Sequence, residues 1–416
     1  MNENNYGNLA YGIQAASETY FNTSADKLTL AQASFLAGLP QAPAVYDIYT
    51  NRDATLTRHK QVLILMYELS QEKNCIYVST NLERVCVNEI ANAAQEIENY
   101  IFKPHDYSMI FPHWVNYIRT QLESQFDPQT IYRSGFTVYT TLDPVIQNQV
   151  QTIIKDQVAS LAEKNATNGA AIVIRPTTGE ILAMVGSADF YNENISGQVN
   201  MALAPRQPGS SINPLVYLSA FEKGWTPATL QWDVPSEFSP SGNPDDQREP
   251  YKPVNYDNRF HGPVTLRSAL ANSYNIPAVK ALEFVGIYDN PQTSHPDGFI
   301  EFAKRIGIST LTRDDYGMSL SLGGGEVTLL EMTNAFATIA NTGNQIPPVA
   351  ITKIIDHLRN VLYEYQQPTP NRVIREEHSY LISSILSDNQ ARSPMFGSDS
   401  VLNLPFQAAV KTGTTN

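Results

Sequence analysis

The chain has 416 residues, 28 basic against 41 acidic, and a formal net charge of −13. That balance excludes a protein built to hold nucleic acid or to dock electrostatically on anionic lipid. Apolar residues make up 42% of the chain, enough for cores in two or three domains of about 150 residues each. No run of about 20 apolar residues occurs, so no membrane-spanning helix is predicted, and the opening residues do not read as a signal peptide.

The first elements are helices. Ile13 to Phe21 reads as one, with Ala15, Ala16 and Tyr20 on it. Thr29 and Gln32 form a capping-box pattern ahead of a helix that carries Leu30, Ala33, Ser34 and Ala37. It stops at Gly38, before Pro40 and Pro43. A third helix is predicted over residues 54–69, with Leu56, Val62, Leu63, Met66 and Leu69 apolar. Residues 1–70 therefore read as a helical lobe. None of its glutamates, Glu3, Glu18 or Glu68, has a partner at a spacing useful for catalysis.

Residues 71–165 read as a connector. Cys75 and Cys86 flank two short β-like runs about a turn at Thr80-Asn81. A disulfide would staple this hairpin in an oxidising compartment; otherwise both are free thiols. No His or Cys flanks the pair at metal-ligand spacing. An amphipathic stretch runs from Phe111 to Leu122, and Phe136 to Leu142 alternates as a strand. Asp143 caps and Pro144 opens a helix to about Leu161.

A new domain begins near residue 166. Ala170 to Arg175 reads as a buried strand, joined by a Pro176–Gly179 turn to Glu180–Val185 as a hairpin. Next comes RQPGSSINPLVY, Arg206 to Tyr217. Pro208 and Gly209 punctuate a turn, Ser210 or Ser211 can cap a helix, and Leu215, Leu218 and Phe221 recur at helical spacing before Gly224. A serine there is either a plain cap or a nucleophile, since helix N–H groups and the helix dipole favour an oxyanion. Residues 233–262 read as an irregular polar segment. Thr265 caps a short helix leading to Ser273-Tyr274-Asn275. A glycine-rich turn spans Leu320 to Glu326, and a helix follows from Glu331 to Asn341 with Met332, Ala335 and Ile339 inward. A strand pair, Val349–Ile355 with Val361–Tyr365, precedes a helix from Glu376 to Ser387. The chain ends on Lys411-Thr412-Gly413-Thr414-Thr415-Asn416.

Taken in order, the serine at a helix start, Ser273-Tyr274-Asn275 and Lys411-Thr412-Gly413 resemble the S-x-x-K, S-x-N and K-T-G set of penicillin-recognising serine enzymes. Embedded in RQPGSS, GPVTLRSALANSYNIPAV and LSLGGGEVTLLEMTNAFATIANTG, they resemble a bifunctional (class A) penicillin-binding protein. NYGNLAYGIQAASETYF and LTLAQASFLAGLPQAPAVYD look like the C-terminal end of that family's peptidoglycan glycosyltransferase domain. FPHWVNYI and GFTVYTTLD look like its linker. The resemblance covers essentially the whole chain.

The resemblance implies an α/β fold of the α+β type. It divides into a helical remnant (1–70), a linker (71–165) and a transpeptidase domain (166–416) whose mainly antiparallel central sheet is flanked by helices and cut at the K-T-G strand. It implies peptidoglycan biosynthesis by a serine D,D-transpeptidase that needs no metal or cofactor. Ser210 would attack the D-Ala-D-Ala bond of a stem peptide, and Ser273 would relay the proton to the leaving amine. Asn275 would hold the substrate amide, and Lys411 and Thr412, with Gly413 and Thr414 alongside, would bind the terminal carboxylate. The Ser210 N–H and one beside the K-T-G strand would form the oxyanion hole. β-Lactams would trap the acyl form. The family works at the extracytoplasmic face of the bacterial cell membrane, with an anchor expected in a longer chain and absent here, and that setting implies a Cys75–Cys86 bond. The strand ending at Lys411, lacking its usual partner, is expected to be frayed from about Phe406 onward. The glycosyltransferase glutamates are expected to lie before the first residue. One departure is chemical: the lysine of S-x-x-K is Asn213. A serine needs a base, and an amide is not one. Two classes of function follow, an acyl-transfer enzyme or a non-catalytic scaffold or stem-peptide binder, and Asn213 discriminates between them.

Overall fold

Capping side chains set several of the helix starts. In the computed structural model, which describes residues 4–8, 10–73, 75–77, 84–103, 109–293 and 296–415, the chain forms two units. One comprises Met1–Ile110 with Phe126–Gly135, the other Phe111–Gln125 with Phe136–Asn416. The expected connector, residues 71–165, is thus shared between them.

In the first unit, helix α1 (Ile13–Phe21) ends at Asn22, whose left-handed φ of 50° stops it. Helix α2 (Leu30–Gly38) begins with both halves of the Thr29–Gln32 capping box made. Helix α3 (Arg52–Lys73) is followed by strands β1 (Cys75–Tyr77) and β2 (Arg84–Cys86), then by helix α4 (Val87–Asn99). β1 and β2 pair antiparallel with Cys75 opposite Cys86, and the expected turn at Thr80-Asn81 lies outside the described residues. Phe35, Leu36 and Leu39 of the α2 region pack with Tyr20 and Ile97 in this unit's core. Buried Ser34 and His59 pair at 2.9 Å, and burial holds the imidazole's pKa down to about 4, so His59 is neutral.

Helix α5 (Pro112–Glu123) belongs to the second unit and α6 (Pro128–Arg133) to the first. Strand β3 (Thr137–Thr140) leads into helix α7 (Pro144–Ser160), capped by the Asp143 carboxylate accepting from the Val145 and Ile146 N–H groups. Strands β4 (Ala171–Ile174) and β5 (Ile181–Val185) form the expected hairpin. After them come α8 (Asn213–Glu222), β6 (Leu230–Asp233), β7 (Gly262–Thr265), α9 (Leu266–Ala271), α10 (Asn275–Val285), α11 (Phe299–Arg305) and α12 (Leu329–Ala340). The last elements are β8 (Asn344–Gln345), β9 (Ile351–Ile355), β10 (Val361–Glu364), β11 (Asn371–Arg372), α13 (Glu376–Leu386) and α14 (Asn389–Phe396).

Helices and mainly antiparallel strands are mixed as expected. The described strands make five small sheets, ordered β1-β2, β10-β9-β3, β11-β8, β4-β5 and β6-β7. β4 is half-buried along its length rather than buried, because β5 is its one sheet neighbour among the described residues. The Lys411-Thr412-Gly413 stretch is not a strand. A strand needs a neighbour to take its alternate N–H and C=O groups. Here the Val410 N–H instead donates to Leu386 O at the end of α13, at 2.9 Å. Phe406, ahead of this segment, is 67% exposed.

The second unit's core surrounds α8. Its residues Asn213 to Phe221 are all buried. Leu215, Leu218 and Phe221 pack with Ile276, Val279 and Leu282 of α10 in one cluster. Each such side chain stabilises the fold by roughly 1.5–3 kcal/mol. The helix that begins beside Ser210 is therefore among the most firmly held in the chain. Among the described residues, no helix is long and apolar enough to cross a membrane.

Candidate active site

The turn before α8 is a 3-10 helix, Gly209–Ile212, and its backbone is set by close approaches. Gly209 has φ +58°, and a Cβ on it would lie 2.5 Å from Thr414 O and 2.7 Å from Thr414 N. A Cβ on Gly413 would lie 2.5 Å from Pro208 O. A Cβ on Gly323 would lie 2.3 Å from Gly209 N. Three backbone segments thus meet at the serine turn with room for glycine alone. The sequence expectation of a serine cap is corrected here. Neither the 3-10 turn nor α8 has a side-chain cap, because the chain enters α8 already helical through Ile212. The Ser211 hydroxyl instead donates to Pro208 O at 2.7 Å. Ser210 is half-buried at the N-terminal end of a buried helix, and its hydroxyl is not spent on capping.

Asn213 opens α8 and is 1% exposed. Its Nδ2 donates to Ser321 O at 2.7 Å. Ser321 lies in the 3-10 helix Met318–Leu322, just before Gly323. The position where the family pattern has lysine is therefore filled by an amide anchored to a backbone carbonyl.

The second motif sits between α9 and α10. Thr265 caps α9, and buried Asn272 closes it, donating to Ser268 O and Ala391 O and accepting from Met395 N. Ser273 then takes φ +58°, a left-handed conformation uncommon for a residue with a side chain. This reversal lets Asn275 begin α10 on a new axis. Ser273 Oγ accepts a hydrogen bond from Lys411 Nζ at 2.8 Å, and the same ammonium donates to Thr412 O at 2.7 Å. Burial pushes the Lys411 ammonium from 10.5 down to about 7. The Asn275 Nδ2 donates to Val254 O at 2.7 Å, and its backbone N–H to Asn255 Oδ1 at 2.7 Å.

The structure thus places Ser273 against Lys411, and the Gly413-Thr414 backbone against the Ser210 turn. These residues are separated by 138 positions in the first case and about 200 in the second. Asn213 points to Ser321. The sequence reading missed Asp233, Asn255 and His261. All three fall in or at the ends of the stretch read as irregular, where periodicity carries no signal. The Asp233 carboxylate is 0% exposed and accepts from Asn255 Nδ2 at 2.8 Å and from the His261 N–H at 2.9 Å. His261 Nδ1 lies 2.7 Å from the same oxygen, and its ring stacks on Tyr274 at 4.0 Å. Burial first, and the nearby Asp233 and Asp257 charges second, push the Tyr274 phenol up.

Residues 169–416 match the penicillin binding protein transpeptidase domain, and residues 1–67 match the transglycosylase family. The chain is 31% identical over 425 residues to Penicillin-binding protein 2D of Bacillus subtilis (strain 168), covering 99% of this chain and 56% of that protein. It is 29% identical to Penicillin-binding protein 4 of the same organism, covering 99% of this chain and 64% of that protein. It therefore spans a little over half the length of these curated relatives. Among solved structures, Penicillin-Binding Protein 1A from Haemophilus influenzae superposes with a TM-score of 0.69 at 22% identity, covering 97% of this chain and 73% of that one. A Mycobacterium tuberculosis protein solved in complex with penicillin V gives a TM-score of 0.52 at 20% identity, covering 69% of this chain and 72% of that one. With both family matches in one chain, and the transpeptidase match spanning residues 169–416, the chain belongs to the class A penicillin-binding proteins.

Proposed function

We propose that this chain carries a serine D,D-transpeptidase site of peptidoglycan biosynthesis that recognises stem peptides ending in D-Ala-D-Ala. The observation that carries the reading is the Lys411 Nζ–Ser273 Oγ bond of 2.8 Å, with the same segment packed on the Ser210 turn. In the reaction, Ser210 Oγ attacks the carbonyl of the penultimate D-alanine. An ester forms, the C–N bond breaks, and the Ser210 proton leaves on the amine of the expelled D-alanine, relayed by Ser273. A neighbouring stem's amine then attacks the ester and regenerates the serine. The Ser210 N–H and an N–H of the Gly413-Thr414 segment support the oxyanion. Lys411, with the Thr412 hydroxyl, takes the terminal carboxylate. Asn275 reads the substrate amide.

The weak point of the chemistry is the base. Asn213 has no basic nitrogen, so acylation proceeds without the help a lysine gives, a loss of about 10²–10⁴ in rate. That same residue favours the second reading, a stem-peptide binder that keeps the cleft without turnover. The reading assigns no glycosyl-transfer role to Glu18, which is exposed and accepts from Gln14 on its own helix, or to exposed Glu68. It places the site outside the cytoplasm, anchored through a longer chain, with β-lactams as acylating inhibitors and Cys75 bonded to Cys86.

Mass spectrometry tests this. After prolonged incubation with a penicillin, a single adduct should map to the peptide containing Ser210, and Ser210→Ala should show none. The intact mass of exported protein should also be lighter by the pair of hydrogens lost in the Cys75–Cys86 bond. An adduct elsewhere overturns Ser210, and free thiols at both cysteines overturn the bond.

A further inference from the structure

We infer that Arg392 of α14 is a positioning residue that holds Lys411 against Ser273, acting through the carbonyl at the end of α13. Its bearing on the reaction rests on the roles given above to Lys411 and Ser273. Its test reads Lys411 itself, so the two can fail separately.

Arg392 is 3% exposed. A guanidinium stays charged even when buried and needs acceptors. Arg392 Nη2 donates to Leu386 O, on the last residue of α13. A helix C-terminus suits a cation, because its free carbonyls carry partial negative charge. The same oxygen accepts the Val410 N–H at 2.9 Å. Arg392 thus fixes the direction of a carbonyl that would otherwise turn to water, and Val410 docks on it.

Lys411 follows Val410 directly. Beyond it, Gly413 and Thr414 pack on the serine turn. Lys411 is therefore anchored on both sides, and its Nζ reaches two uncharged acceptors, Ser273 Oγ at 2.8 Å and Thr412 O at 2.7 Å. Burial is what draws its ammonium from 10.5 down to about 7. The helix that carries Arg392 also holds the other member of the pair. Asn272, just before Ser273, donates to Ala391 O at 2.8 Å and accepts from the Met395 N–H at 3.1 Å. One eight-residue helix is thus bonded beside Ser273 directly and beside Lys411 through Leu386 O. The charged groups next to it are Asp388, which caps α14 through the Ala391 N–H at 2.8 Å, and Arg267. Arg267 bonds to Asp388 and to Ser384, each at 3.1 Å, and so braces α9 against α13 and α14 by a separate route.

The test is a pH titration of Lys411, followed by the Cε chemical shift in carbon-13 lysine-labelled protein and assigned by its loss in Lys411→Arg. The unmodified protein should give a midpoint at about 7. Arg392→Met keeps an apolar stem and loses the donors. It should let the segment open to water and raise the midpoint to about pH 8 or above. Val410→Pro cuts the same link from the other side, because proline has no N–H. It leaves Arg392 and the core intact, so it decides the matter even if Arg392→Met does not fold. It should raise the midpoint as far, and Arg392→Met added to it should raise it no further. Arg267→Met, which breaks the separate brace, should lower thermal stability and leave the midpoint where it was. A midpoint unmoved by Arg392→Met or by Val410→Pro overturns the inference. So does an equal rise in Arg392→Met and Arg267→Met, which would make Arg392 a structural residue only. A midpoint near 10.5 in the unmodified protein overturns it as well, since Lys411 would then not be held out of water.

Discussion

An amide at residue 213 cannot take the Ser210 proton, because neither of its polar atoms is basic. Lys411 is the group in the described site with a nitrogen that is partly neutral near pH 7, since burial holds its ammonium down to about 7. That value has a testable consequence for binding. A ligand carboxylate is best met by the charged form, so above pH 7 binding must first bring a proton to Lys411. Affinity for a tripeptide ending in D-Ala-D-Ala should be flat below pH 7 and fall about tenfold per unit above it. Lys411→Arg should remove the dependence, because a guanidinium stays charged. Calorimetry from pH 6 to pH 9 measures this, and a flat profile for the unmodified protein would contradict it. Ser210, Ser273, Asn275 and Lys411 are singled out by the sequence because the motif pattern restricts each position to few residue types. Asp233, Asn255 and His261 are not, since their contacts join a strand end, a loop and a second strand that share no period.

At the scale of elements, the serine turn depends on glycine at more than one place. Gly209 has φ +58° and also lacks room, with Thr414 backbone atoms 2.5 to 2.8 Å from a built Cβ. Gly397 has φ +78° and open space around it. Alanine at either site carries the backbone strain of about 1–3 kcal/mol, but at Gly209 it must also push the Gly413-Thr414 segment away. Gly209→Ala should therefore speed hydrogen exchange at Val410, whose N–H bonds to Leu386 O, and Gly397→Ala should not. Equal protection at Val410 in both variants would sink this account of the turn. The helices were readable because caps and 3.6-residue periodicity are local: Thr29–Gln32, Asp143–Pro144 and Thr265 all act as their sequence predicts. The serine cap was misread because local sequence does not reveal that Ile212 is already helical. The K-T-G strand was misread because a strand is a property of its neighbours.

Across the whole molecule, the order of motifs carried more than composition did. Net charge and apolar content excluded classes of function without selecting one. The three motifs, spread from residue 210 to residue 413, selected the family that residues 169–416 match. What the sequence could not supply was the arrangement of small sheets. That arrangement depends on contacts such as the Ile181 N–H to Val349 O bond of 3.0 Å, which ties β5 to the residues just before β9, far apart in the chain.

The central claim is that Ser210 is the acylated residue and that residue 213 is the position of its missing base. The most direct measurement is the limiting acylation rate with a fluorescent penicillin. Three forms are compared: the Asn213 protein, Asn213→Lys, and Asn213→Lys combined with Ser210→Ala. The account predicts slow or undetectable labelling for the first, a gain of about 10²–10⁴ for the second, and none for the third. Acylation of the Asn213 protein as fast as that of its lysine variant would contradict it.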